Sequence, residues 1–134
     1  MKLPRSRSVP ASAAAAALVL ALCGCSADGT AARHAADAFL SAVAGGDGRA
    51  ACALLTDSAR EAVQDREGDC PAGVLELGIA GDGAGDAEVD GRAAIVRSGS
   101  TAVFLTPGDD GWLVRAAGCT PVADAPFECV LDGS

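Results

Sequence analysis

The stretch AEVDGRAAIVRSGSTAVFLTPGDDGWLVRAAGC, residues 87–119, decides the fold. It holds three or four runs rich in Val, Ile, Phe and Trp, divided by Asp90-Gly91, by Ser98-Gly99-Ser100 and by the segment from Pro107 to Gly111. Short β-branched and aromatic runs bounded by Gly, Asp, Ser and Pro are the pattern of strands joined by tight turns, so the stretch reads as an antiparallel meander. The runs AAIV and TAVFL are apolar on both parities, which implies that both faces of the sheet are covered. A last run, FECVLD at 127–132, alternates Phe127, Cys129 and Leu131 with Glu128, Val130 and Asp132, as expected of a strand with one wetter face.

Upstream of the meander the apolar period changes from two to nearly four. In TAARHAADAFLSAVAGGD, Ala32, Ala36, Phe39, Leu40 and Val43 share one helical face, and Gly45-Gly46 supplies the stop. His34 falls nearly opposite that stripe, beside Arg33 and Asp37, as a solvated helix residue. Asp47 is placed to cap a second helix, GRAACALLT, with Ala51, Leu54 and Leu55 inward and Cys52 close to that face. Ser58 followed by Glu61 has capping-box spacing for a third helix running to about Asp65, DREGDCP breaks it, and Pro71 opens one more turn through Leu77. Helices first and a curved antiparallel sheet of four to five strands afterwards make an α+β fold.

The chain begins with Lys2, Arg5 and Arg7, then runs without charge from about Val9 to Leu22 before Gly24 and Ser26. That is the plan of a secretory signal, and the apolar run is too short for a membrane-spanning helix. Its end, Leu22-Cys23-Gly24-Cys25, resembles the lipobox of bacterial lipoproteins. Only Cys25 has the register, with a small residue before it and Leu three before. Lipidation is therefore expected at Cys25, with residues 1–24 removed, 25–30 serving as a tether and 31–134 forming one domain. Acyl chains at Cys25 would hold the protein at the outer face of the cell membrane, at about 0.8 kcal/mol for each buried methylene.

Loss of the signal leaves seven arginines against 18 acidic residues, a formal charge of −11. Such a surface repels phosphate, which excludes nucleic acid as a partner. Aromatic residues are few, namely Phe39, Phe104, Phe127 and Trp112, so the domain is short of core and needs staples. Cys52, Cys70, Cys119 and Cys129 are an even set in an exported chain, and four cysteines allow three pairings. The local pairing, Cys52 with Cys70 and Cys119 with Cys129, closes two short loops between elements expected to be neighbours.

The order of these features carries a resemblance. ADAFLSAVAGGDGRAACALLTDSAREAV at 36–63, a mid-chain Cys70-Pro71, a meander, then GWLVRAAGCTP and PFEC resemble a family of short actinobacterial lipoproteins of mostly unassigned function. That family has an NTF2-like cone, and the resemblance spans most of residues 31–133. It implies helices packed against a curved sheet. Two classes of function follow from it. One is a non-catalytic role, binding a small apolar ligand in the cone or docking an envelope protein. The alternative is a small-molecule enzyme working with a tuned pocket carboxylate, for which Asp37 and Glu128 are the candidates. The chain has no Tyr to form an oxyanion hole, and no G-x-S-x-G to make His34 part of a triad.

No cofactor is implied by the residues. Asp86-Ala87-Glu88-Val89-Asp90-Gly91 opens like a calcium loop, but its twelfth position, which should be Glu, is Arg97. No C-x-x-C occurs to suggest zinc or redox chemistry.

Overall fold

A computed structural model of the chain describes Lys2, residues 29–80 and residues 82–134. The lipobox, the lipidation expected at Cys25 and the signal at 3–24 lie outside the described residues. The described chain is α+β, with four helices followed by a five-stranded antiparallel sheet that does not close.

The helices are α1 (Gly29–Ala44), α2 (Gly48–Ala53), α3 (Asp57–Glu67) and α4 (Cys70–Glu76). Helix α1 buries Ala32, Ala36, Phe39 and Leu40, the stripe read from the sequence apart from Val43, which is half-buried. It starts at Gly29, so Gly29 and Thr30 are helical rather than part of the tether. Asp47 caps α2 by accepting a hydrogen bond from the Ala50 amide at 3.0 Å. That helix ends earlier than its apolar pattern suggests, because Leu55 leaves it to form a bridge with Val114 of the sheet. The bridge also moves the next cap. Thr56 donates its amide to the Val114 carbonyl in an extended conformation, and its hydroxyl accepts from Ala59 at 3.1 Å, so α3 is capped by Thr56 and not by Ser58. Gly68, with φ of +85°, ends α3, and Asp69 caps α4 with Pro71 in its first turn.

The strands are β1 (Ala87–Asp90), β2 (Ala93–Ser98), β3 (Thr101–Gly108), β4 (Gly111–Val122) and β5 (Ala125–Asp132), hydrogen-bonded in that order. Strand β4 carries two irregularities. Leu105 pairs with Val114 and Phe104 with Ala116, leaving Arg115 extra, while Ala102 pairs with Cys119, leaving Ala117 and Gly118 across from Val103 alone. Gly118 has φ of +64°, a conformation that an L side chain adopts only with strain. Bulges of this kind bend a strand and raise its twist, so β4 curves around the helices.

The turn at Gly118 changes which side chains point where. Ala116 and Cys119 lie on one face of the sheet and Ala117 on the other. Leu131, paired with Ala117, follows it to the helix side, while Cys129, paired with Cys119, does not. The strict alternation expected over 127–132 therefore breaks at Val130, which packs against Gly118.

The helices lie on one side of the sheet, α1 and α3 against the strands and α2 and α4 against those helices and each other. Phe39 and Leu40 of α1, Leu55, and Val63 of α3 meet Val96, Val103, Leu105 and Val114 of the sheet in one core, each exposed by 1 % or less. The cystine Cys52–Cys70 joins α2 to the start of α4, with Cα atoms 6.1 Å apart. Gly48 makes the same junction tight, since a Cβ there would stand 1.7 Å from the Pro71 carbonyl oxygen. The second cystine, Cys119–Cys129, links directly opposed residues of β4 and β5, with Cα atoms 3.9 Å apart. Two disulfides thus hold the domain, in the local pairing.

Candidate docking surface on the open face of the sheet

Among the described residues, no helix lies over the far face of the sheet. The expectation that both faces are covered fails here, and the register shows why the sequence suggested it. Residues of the second parity, Ile95, Ala102, Phe104 and Ala116, are apolar because they cluster with one another and with the Cys119–Cys129 cystine, not because a second layer covers them. Register sets them in rows. One row runs Glu88, Ile95, Phe104, Ala116 and Asp132 across all five strands, and the next runs Arg97, Ala102, Cys119 and Cys129.

Phe127 leans over both rows. Its ring meets Phe104 edge to face, with centroids 5.0 Å apart and planes at 75°. The Arg97 guanidinium sits 5.9 Å from the Phe127 centroid, a cation over a ring, and also approaches Glu88 at 3.8 Å. Ile95, Phe104 and Phe127 are each half-buried. They form an apolar strip rimmed by charges.

Two clefts flank Phe104. The first, about 330 Å³, has Phe104, Ala116, Phe127 and Cys129 as its apolar walls, with Arg115 and Asp132 at its edge. The second, about 240 Å³, has Ala93, Ile95 and Phe104 as floor and Glu88 and Asp90 beside it. Asp132 is held below the usual carboxylate range, chiefly by hydrogen bonds from the Ser134 hydroxyl and amide. The Arg115 charge adds to this and slight burial opposes it.

The two carboxylates considered for catalysis lie apart, and of the two only Glu128 borders a cleft, one of about 370 Å³ that it shares with Gly118, Thr120, Val122, Cys129 and Val130. Asp37 is exposed on α1, and its Oδ1 accepts the Ala84 amide at 3.3 Å, which ties the loop before β1 to the helix. Glu128 is exposed on β5 opposite Thr120, at the other edge of the sheet. His34 is exposed on α1. The structure does not bring these three together. Asp90-Gly91 forms the β1–β2 turn, with Gly91 at φ of +59°. Among the described residues no group of three His, Cys, Asp or Glu side chains is placed to hold a metal ion. Among them, too, no helix is long and apolar enough to cross a membrane.

Residue type alone does not reveal this open face. Its period-two parity was present at Ile95 and Arg97, at Ala102 and Phe104, and at Phe127 and Cys129. The pattern alone does not show which parity the helices choose. Compared with protein-family models, with curated proteins and with solved structures, the chain matches none.

Proposed function

We propose that this chain is an exported lipoprotein, anchored through acylated Cys25, whose NTF2-like domain docks a neighbouring envelope protein and performs no catalysis. Helices laid across one side of a bent antiparallel sheet support the NTF2-like reading. In such a cone a ligand would lie between helices and sheet, and here that space is occupied by Phe39, Leu40, Leu55, Val103 and Leu105, all fully buried. The observation that carries the docking reading is the apolar strip of Ile95, Phe104 and Phe127 on the face that no helix of the described residues covers. A strip of this kind, rimmed by charge, is the anatomy of a small protein interface.

Anchoring at Cys25 fits the same picture. Three residues separate it from Gly29, at most about 14 Å of extended chain over four Cα–Cα steps, so the start of α1 would stand close to the bilayer. Gly29 lies against Ala87 of β1, which brings one edge of the open face to the membrane-proximal end.

The test has two parts. Cys25→Ala should release the protein from membranes, and unchanged fractionation would sink the anchor. A photo-crosslinking residue at position 104 should give a discrete protein adduct in intact cells, whereas one at position 34 should not. No adduct from 104, or the same adduct from both, would sink the docking surface.

A further inference from the structure

We infer that the occupant of the open face is a basic polypeptide segment, which lays the stem of a lysine or arginine along Phe104 and Ile95 and sets its cationic head against Glu88 and Asp90. This names the partner's chemistry and rests on the docking reading above. The smaller cleft has the polarity such a side chain needs, with apolar floor from Ala93, Ile95 and Phe104 and two carboxylates along one side. Long basic side chains bury their methylenes on apolar surface while the head stays in water, and an aromatic face attracts the head as well.

The charges around the cleft favour a cation. Glu88 meets Arg97 at 3.8 Å, with their side chains 74 % and 51 % exposed, a pairing loose enough to be shared or displaced. The ion pairs among the described residues are that one and Arg60–Asp57, so neither Asp90 nor Arg92 in the adjoining turn takes part in one. Arg97 is also drawn toward Phe127, on the side away from Asp90. Two carboxylates therefore border the cleft, and the one cation paired with either, Arg97, is shared between Glu88 and the neighbouring ring.

The whole domain points the same way. Its formal charge of −11 after loss of the signal opposes a second copy on this face and repels anionic lipid, while it draws a cationic partner into encounter. The apolar floor then supplies what charge alone does not, a fixed place to land.

The experiment is titration calorimetry on the full lipidated chain in neutral detergent at low salt, with an alternating Lys-Leu octapeptide as the probe. Glu-Leu and Ser-Leu octapeptides serve as comparisons. The Lys-Leu peptide should bind best, and E88Q/D90N should weaken it about tenfold, as loss of two charge contacts in a partly apolar site would. Both substitutions are on exposed side chains, so the variant is expected to fold. E61Q/D65N, which removes two exposed acidic groups from α3 on the opposite side of the sheet, should leave binding within about twofold, since those charges lie outside the cleft. Equal weakening by both variants would overturn the inference in favour of diffuse charge attraction. Equal binding of all three peptides would overturn it in favour of apolar contact alone. A dimer in the native mass spectrum that F104S abolishes would make the occupant a second copy. If any of these holds while the position 104 adduct persists in cells, the docking reading stands and only the partner's chemistry is wrong.

Discussion

Phe104 and Leu105 are consecutive in β3 and end in different surroundings. Leu105 is 1 % exposed in the core beneath the helices, while Phe104 is half-buried on the side where, among the described residues, strands and a cystine lie. The same division runs through the whole sheet, with Val96 and Val103 on one side and Ile95 and Ala102 on the other. One side is a core in which any change of volume is felt. The other carries apolar side chains that no second layer of the described residues covers, and the docking proposal rests on them.

The most severe way to probe the closed side is at Gly48. Its backbone φ is not in the left-handed region, so the constraint is purely one of space against the Pro71 carbonyl. Gly48→Val should separate α2 from α4 and cost about 3 kcal/mol or more, enough to leave much of a small domain unfolded. Urea denaturation followed by far-ultraviolet circular dichroism would show it, and a variant as stable as the parent would mean that the helix junction is looser than described.

Next in size is the pair Leu105→Ala and Phe104→Ala. Leu105→Ala empties a packed site and is expected to cost about 2–5 kcal/mol. Phe104→Ala removes a ring that is already partly in water, so it should cost about 1–2 kcal/mol. Docking should show the reverse order, with Phe104→Ala abolishing the crosslinked partner and Leu105→Ala leaving it in the folded fraction. Equal destabilisation by both would erase the distinction between the faces, because the strip would then be core.

The two cystines sharpen the distinction by access. They close 18 and 10 residues of chain, and by loop-closure entropy each contributes about 3 kcal/mol, so stability alone hardly separates them. Their surroundings do. Cys52 and Cys70 are 6 % and 2 % exposed within the helical core, whereas Cys129 is half-buried and borders the larger cleft of the open face. An attacking thiolate has to reach a sulfur, so limited dithiothreitol should open Cys119–Cys129 first. Alkylation and peptide mapping at intervals would give the order, and opening of Cys52–Cys70 first would mean that the helical layer breathes more than the strand pair.

The sequence carried most of this architecture because its signals are local. The α1 stripe, the Asp47 cap, Pro71 in the first turn of α4 and the Gly-bounded strands each depend on residues within a few positions of one another. What it withheld depends on contacts between distant segments. Thr56 displaces Ser58 as a cap only because Val114, nearly sixty residues on, holds its amide. The break in alternation at Val130 comes from the backbone of Gly118 on the neighbouring strand. Asp37 looked like a pocket candidate from its place at the border of the apolar stripe, and its real partner is the Ala84 amide.

The smallest expected effect lies at the rim of the open face, at Asp132. Hydrogen bonds from Ser134, helped by the Arg115 charge, favour the carboxylate and depress its pKa in the folded state. A depressed folded value means that the unfolded chain takes up a proton first as pH falls. The contribution is thus fully present above the unfolded value, about 3.9, and is lost as pH drops through the folded one. Asp132 is exposed, so solvent screens the effect and only a slight change in acid stability is expected. Carboxyl chemical shifts followed between pH 2 and 6 would report it directly, and Ser134→Ala should raise the Asp132 midpoint toward the ordinary value. A midpoint unchanged in Ser134→Ala but raised in Arg115→Gln would mean that the Arg115 charge outweighs the Ser134 hydroxyl. In that case Arg115 is committed to Asp132 rather than free to meet a partner, and the larger cleft would present a neutral edge beside the acidic one at Glu88 and Asp90.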